Sequence, residues 1–86
     1  MIKIGIAGYG KIGKLRANIL SERKDVKIVG IYDVVKPERI ENITFYNSYD
    51  DLLNAEIDVV FICAYNTVLA EYTAKALIKG AHVFCE

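Results

Sequence analysis

Apolar residues in this chain fall into five short runs, and the segments between them carry helical spacing or turn residues. The first run, IKIGIAG (2–8), ends in glycine and predicts a buried parallel strand. From Lys11 the period changes. Ile12, Leu15, Ile19 and Leu20 stand at i, i+3, i+7 and i+8 and predict one apolar face of a helix running to about Arg23. VKIVGIYD (26–33) predicts a second strand. VKPERIEN (35–42) contains Pro37, which cannot donate to a sheet ladder, so this stretch is expected to be a turn or a short helix. ITFY (43–46) reads as a third, weaker strand, and SYDDLLN (48–54) as a short helix with Ser48 as its N-cap. IDVVFICA (57–64) is the most apolar strand of the chain. NTVLAEYTAKALIKG (66–80) predicts a helix capped by Asn66 or Thr67 and ended by Gly80. GAHVFCE then brings a fifth strand, expected to be buried over residues 82–85.

Strand and helix signals that alternate with short connections imply an α/β fold with a mostly parallel sheet and right-handed crossovers. The expected strand order is 3-2-1-4-5. A ligand site is expected in the crevice at the carboxyl ends of strands 1 and 4, where that order reverses. No internal repeat, low-complexity segment or linker interrupts the series.

Composition narrows the reading further. The 86 residues suffice for one small domain, which buries roughly 60–65% of the surface its unfolded chain exposes. A hydrophobic content of 53% with 26% charged residues suits a globular core. Eleven basic and eleven acidic residues cancel, which argues against nucleic acid or an anionic membrane surface as partner. No apolar run approaches the ~20 residues of a membrane-spanning helix. The N-terminal run passes straight into a glycine turn without a small-residue cleavage site, unlike a signal peptide. Cys63 and Cys85 both lie in strand-like runs at a spacing that matches no metal-ligand pattern, and both are expected to be buried free thiols. A cytoplasmic location is expected.

The candidate chemistry sits at GYGKIG. Gly8, Gly10 and Gly13 have G-x-G-x-x-G spacing, leave a predicted strand and open a predicted helix within a β-α-β unit. Gly8 would permit the tight turn, Gly10 would let backbone approach a pyrophosphate, and Gly13 would let the helix pack close to the sheet. The helix N-terminus, around Lys11 and Ile12, offers unpaired N–H groups and partial positive charge to phosphates. Without a ligand, the same residues would make a tight β-α turn. Asp33 ends the second strand 20 positions after Gly13, where its carboxylate would bind the adenosine ribose hydroxyls and repel a 2′-phosphate. Its bland alternative is a strand-end turn residue. Val34 and Val35 follow it rather than an arginine, which favours NAD as cofactor. Lys36 and Arg39 stand near enough to keep NADP open.

IKIGIAGYGKIG, YNSYDDLL, IDVVFICAYNT and AEYTAKALIKGAHVFCE together resemble the N-terminal nucleotide-binding part of the glucose–fructose oxidoreductase/inositol dehydrogenase (Gfo/Idh/MocA) family over nearly all 86 residues. A diaminopimelate- or homoserine-type dehydrogenase is a more distant match to GYGKIG and VKIVGIYD. The resemblance implies a Rossmann-type domain and an NAD(P)-dependent oxidoreductase that moves hydride between a nicotinamide and a hydroxyl or keto group of a small sugar-like substrate. It also carries over as cofactor-facing residues the turn Ala64–Tyr65–Asn66 after strand 4, and Glu86, which matches the glutamate of a family Glu-Lys-Pro tripeptide. Glu86 could equally be an ordinary exposed acid. Two positions depart from the family: Tyr65 replaces a proline, and Leu69 a histidine. The second weakens the case for a typical sugar as substrate.

A chain that stops inside such a motif is expected to be an incomplete dinucleotide-binding domain lacking its substrate domain, or a minimal form of the fold. The expected behaviour is nucleotide binding without turnover, with no catalytic or metal-ligating residue and with self-association through an exposed fifth strand. A non-catalytic nucleotide-binding module is the alternative. His82 is expected to be structural, and Tyr46, Tyr49 and Tyr72 to be packing residues on separate elements.

Overall fold

The computed structural model describes residues 1–37, 43–64 and 66–85. Five strands form one sheet: β1 (Ile2–Ala7), β2 (Val26–Tyr32), β3 (Thr44–Tyr46), β4 (Val59–Ile62) and β5 (His82–Cys85). Its order is β3-β2-β1-β4-β5, and every pairing is parallel. Between them run the helices α1 (Lys11–Ser21), α2 (Tyr49–Leu53) and α3 (Asn66–Ile78). This is the Rossmann-type α/β order that the alternating pattern predicts. The fourth strand and the first and third helices are each shorter than their apolar runs suggest. Arg39 and most of the Pro37 segment lie outside the described residues.

Side-chain alternation along the central strands divides the core in two. Ile4, Ile6, Ile28 and Ile31 meet Ala17 of α1 on one face. Ala7, Val60 and Ile62 meet Tyr49, Leu52, Tyr72 and Ala76 of α2 and α3 on the other. The β1–β2 register shifts between Ile4 and Gly5, so that Ile4 faces Ile28 but Gly5 faces Gly30. That one-residue slip puts both Ile28 and Ile31 on the α1 face, although they are three apart.

The caps follow local chemistry. The Ser48 hydroxyl accepts the Asp51 N–H at 3.1 Å, as its position predicts. At the far end of α3, the Gly80 N–H donates to Leu77 O and the Ala81 N–H to Ala76 O, with Gly80 at φ +86°. That bond pair, closed through a left-handed residue, is a Schellman stop. Asn66 is the first helical residue of α3 rather than a residue ahead of it, and Tyr65 before it lies outside the described residues.

Three burial expectations need correction. Most of the apolar stripe of α1 does not face the sheet: Ile12, Leu15 and Ile19 are exposed, Leu20 packs against the core, and the fully buried positions are Gly13 and Ala17. At Gly13 the helix approaches the turn so closely that no side chain fits there. β5 is not buried, since among the described residues it pairs on one side only, and Phe84 is 55% exposed while stacking on Phe61 at 5.0 Å. Neither cysteine is in a disulfide, as expected, but Cys63 is half-buried and Cys85 exposed. No described helix is long and apolar enough to cross a membrane.

Candidate dinucleotide-binding site

The turn from β1 into α1 is built by close approaches of backbone to backbone. Gly8 has φ +96°, and a β-carbon there would collide with the Cys63 carbonyl of the neighbouring strand end. Gly13 sits directly on the turn, where a β-carbon would overlap the Gly8 carbonyl oxygen. Gly10 is different in kind. A β-carbon there would meet no atom within 4 Å and would stand in open space. Two glycines are therefore required by the fold, whereas the third leaves room for something outside it.

Hydrogen bonds fix this turn to the strands on either side. The Gly8 N–H donates to Tyr32 O at 2.7 Å, and the Cys63 N–H donates to Ala7 O at 2.7 Å. The Tyr9 N–H donates to Asp33 Oδ2 at 2.6 Å, and Asp33 Oδ1 accepts the Val35 N–H at 3.2 Å. The Tyr9 ring packs against the α1-side core, with the Lys14 ammonium 5.9 Å from its centre. The first intrahelical bond of α1 runs from Lys14 N–H to Gly10 O at 2.9 Å. The earlier N–H groups of that turn thus have no acceptor within the helix. No acidic side chain occupies the first turn, so its partial positive charge is not offset there.

A cavity of about 360 Å³ opens in front of these groups, at the carboxyl ends of β1 and β4 where the strand order reverses. Of the residues singled out from the sequence, Gly8, Gly10, Lys11, Ile12, Asp33 and Ala64 border it. Gly13 lies under the turn, consistent with a packing role. Asn66 is exposed at the start of α3 and does not border the cavity. Tyr65 and Glu86 lie outside the described residues. Leu69, in the place of the family's histidine, packs against the α2–α3 core.

The structure adds Val34, Val35, Cys63, Val68 and Tyr72 to the cavity wall. One signal for two of them was available, because Val68 and Tyr72 are one helical turn apart and share a face of α3. Tyr72 also joins an aromatic group drawn from three elements. Its ring stacks on Tyr49 at 3.9 Å and lies 6.4 Å from Tyr32, while the Tyr49 hydroxyl donates to Tyr72 O at 2.7 Å. Burial, then a hydrogen bond with Tyr32, pushes the Tyr72 phenol up to about 12. Burial raises Tyr49 further still. Tyr49 and Tyr72 are packing residues as expected, but they pack on one another, and Tyr72 also faces the cavity.

The residues present fit a dinucleotide. Open backbone at Gly10 and the α1 amides suit a diphosphate, and a carboxylate stands nearby for a ribose. Among the described residues no group of histidine, cysteine and acidic side chains could hold a metal ion. His82, the single histidine, is exposed and opens β5 at the sheet end opposite the cavity.

Comparison with known proteins agrees with this geometry. A family model, GFO_IDH_MocA, described as an oxidoreductase family with an NAD-binding Rossmann fold, matches residues 2–86. The uncharacterised oxidoreductase YrbE of Bacillus subtilis is 36% identical over 99% of this chain and 27% of its own length. Glucose-6-phosphate 3-dehydrogenase of the same organism is 33% identical over 100% of this chain and 26% of its own. The crystal structure of scyllo-inositol dehydrogenase from Lactobacillus casei, with bound NAD(H) and scyllo-inositol, superposes with a TM-score of 0.86 at 30% identity. That match covers 99% of this chain and 27% of the enzyme's. The chain therefore spans about a quarter of the length of these relatives.

Proposed function

The chain belongs to the Gfo/Idh/MocA oxidoreductase family, and from that premise we propose that residues 1–86 hold the dinucleotide of an NAD-dependent dehydrogenase acting on a small sugar- or polyol-like molecule. One observation carries the reading. The open backbone at Gly10, the first-turn amides of α1 and the Asp33 carboxylate all border a single cavity. In the proposal, the amides of Lys11 and Ile12 take the diphosphate and Asp33 takes the adenosine ribose diol. The bound nicotinamide supplies the hydride acceptor or donor. The chain's own residues bind and orient.

The substrate class rests on relatives named for dehydrogenating glucose 6-phosphate and scyllo-inositol. The preference for NAD rests on Asp33 and on the placement of Lys36, whose ammonium lies 5.9 Å from the Phe45 ring centre and which does not border the cavity. Turnover would need a group to carry the substrate's proton, and His82 stands at the wrong end of the sheet for that. These residues alone therefore bind without reducing NAD.

Calorimetric titration with NAD, NADP and their reduced forms tests the proposal. NAD should bind more tightly than NADP, and Asp33→Ala should weaken NAD and narrow the gap. Equal affinity of the unaltered chain for both would remove the specificity argument. Reduction of NAD by this chain with scyllo-inositol or glucose 6-phosphate would refute the absence of turnover.

A further inference from the structure

We infer that Tyr72 is a specificity-determining residue of the dinucleotide site, its ring walling the adenosine end and its hydroxyl giving that nucleoside a second polar contact beside Asp33. The inference rests on the proposed nucleotide site and deepens it.

The cavity's lining sorts by chemistry. The amides of Gly10, Lys11 and Ile12 are suited to phosphate, and Asp33 to a ribose diol. The rest of the lining is Gly8, Val34, Val35, Cys63, Ala64 and Val68, a largely apolar wall suited to a flat heterocycle. Tyr72 is the one hydroxyl-bearing side chain in that lining. It comes from the same face of α3 as Val68.

Its placement is fixed in advance. The residue is 9% exposed, its ring is stacked on Tyr49 and lies 6.4 Å from the Tyr32 ring, and its carbonyl accepts the Tyr49 hydroxyl. A side chain held on three sides loses little rotamer freedom when a ligand arrives. A hydroxyl has one donor and two acceptor sites, which gives it capacity for a ligand. Because the phenol titrates only far above neutrality, it meets the ligand uncharged and adds no repulsion to the Asp33 carboxylate. An aromatic residue at helical spacing reads as core from the sequence; here it is core on one side and cavity wall on the other.

The test uses NAD, AMP and nicotinamide mononucleotide as probes, titrated by NMR into the 86-residue chain and its Tyr72→Phe variant. Phenylalanine keeps the stack on Tyr49 and removes only the hydroxyl. Tyr72→Phe is expected to weaken NAD and AMP by the same factor, about fivefold, the worth of one neutral hydrogen bond. Binding of nicotinamide mononucleotide should not change. Cross-relaxation between the Tyr72 ring and adenosine protons is expected in the unaltered chain, and this reading needs no variant. Unchanged AMP affinity in Tyr72→Phe, or no such cross-relaxation in a saturated complex, overturns the inference and leaves the nucleotide site standing. Failure of the unaltered chain to bind either NAD or AMP overturns both.

Discussion

Gly13→Ala sets two effects of opposite sign against each other. Alanine is favoured over glycine inside a helix by about 0.8–1 kcal/mol, so propensity alone predicts a more stable protein. The added methyl, however, would lie 3.0 Å from the Gly8 carbonyl carbon and overlap its oxygen, where ordinary contact begins at 3.4 Å. The obstacle is backbone, pinned by the Gly8 N–H to Tyr32 O bond, and cannot rotate aside. Relief must come from moving α1 off the turn, and such overpacking costs roughly 1–3 kcal/mol. With a rigid neighbour the upper end applies, leaving a net loss of about 2 kcal/mol after the propensity gain. For a domain of this size that lowers the melting temperature by roughly 8–16 °C. Gly10→Ala is the matched control. Its β-carbon meets nothing and its backbone is extended, so stability should fall only by the cost of a poorer N-cap residue, about 0.5–1 kcal/mol. Nucleotide affinity should nevertheless fall steeply, because the methyl stands where the diphosphate would approach. Urea denaturation with titration of NAD reads both. A Gly13→Ala protein as stable as its parent, or a Gly10→Ala protein that binds NAD normally, would refute the division of labour between the two glycines.

Other expectations follow from charge and exposure. Tyr72 and Tyr49 keep their protons above the ordinary tyrosine value of 10.0, so the unfolded chain binds fewer protons than the folded one once pH passes 10. Their contribution to stability is complete below pH 10 and is lost as pH rises toward about 12. Urea midpoints should fall over that window, and Tyr49→Phe should flatten the slope; an unchanged slope in the variant counts against it. Asp33→Ala strips the acceptor from the part-buried Tyr9 N–H and should cost about 1–3 kcal/mol in stability. Asp33→Asn keeps an oxygen for that bond, so its melting temperature should lie nearer the parent's while its NAD affinity still falls; equal stability of the two variants would sink this. Phe84 is exposed on the one-sided edge strand β5, so concentrated protein should self-associate in sedimentation and Phe84→Lys should reduce it. A parent that sediments as a monomer at high concentration would contradict that expectation.

The topology and the glycine turn were legible because both are written in residue types. Strand runs bounded by helical spacing force crossovers, and Gly8 and Gly13 stand where backbone atoms leave no space for a side chain. The burial of α1 was not legible from periodicity, which weighs apolar size. The close approach at Gly13 puts Gly13 and Ala17 beneath the helix, and of the predicted stripe Leu20 packs against the core while Ile12, Leu15 and Ile19 are exposed. The open edge of β5 was legible from the strand order, which places the fifth strand last, whereas its apolar run taken alone reads as buried. Tyr72 was read as packing alone, because sequence spacing does not show that Tyr32, Tyr49 and Tyr72 meet at the wall of a cavity.

Asp33 ties the stability of the turn to the reading of the cofactor. An ionised carboxylate has about four lone-pair sites on two oxygens. The Tyr9 N–H takes one on Oδ2 and the Val35 N–H takes one on Oδ1, which leaves one acceptor site on each oxygen. Two remaining sites match the two hydroxyls of a ribose diol. A 2′-phosphate would bring a second anion to the same place with no donor to offer. The bonds that hold the glycine turn closed also fix the plane in which the carboxylate presents those sites. In the proposed complex the carboxylate assigned to select the nucleotide is therefore oriented before any nucleotide arrives, and little binding energy is spent on ordering it.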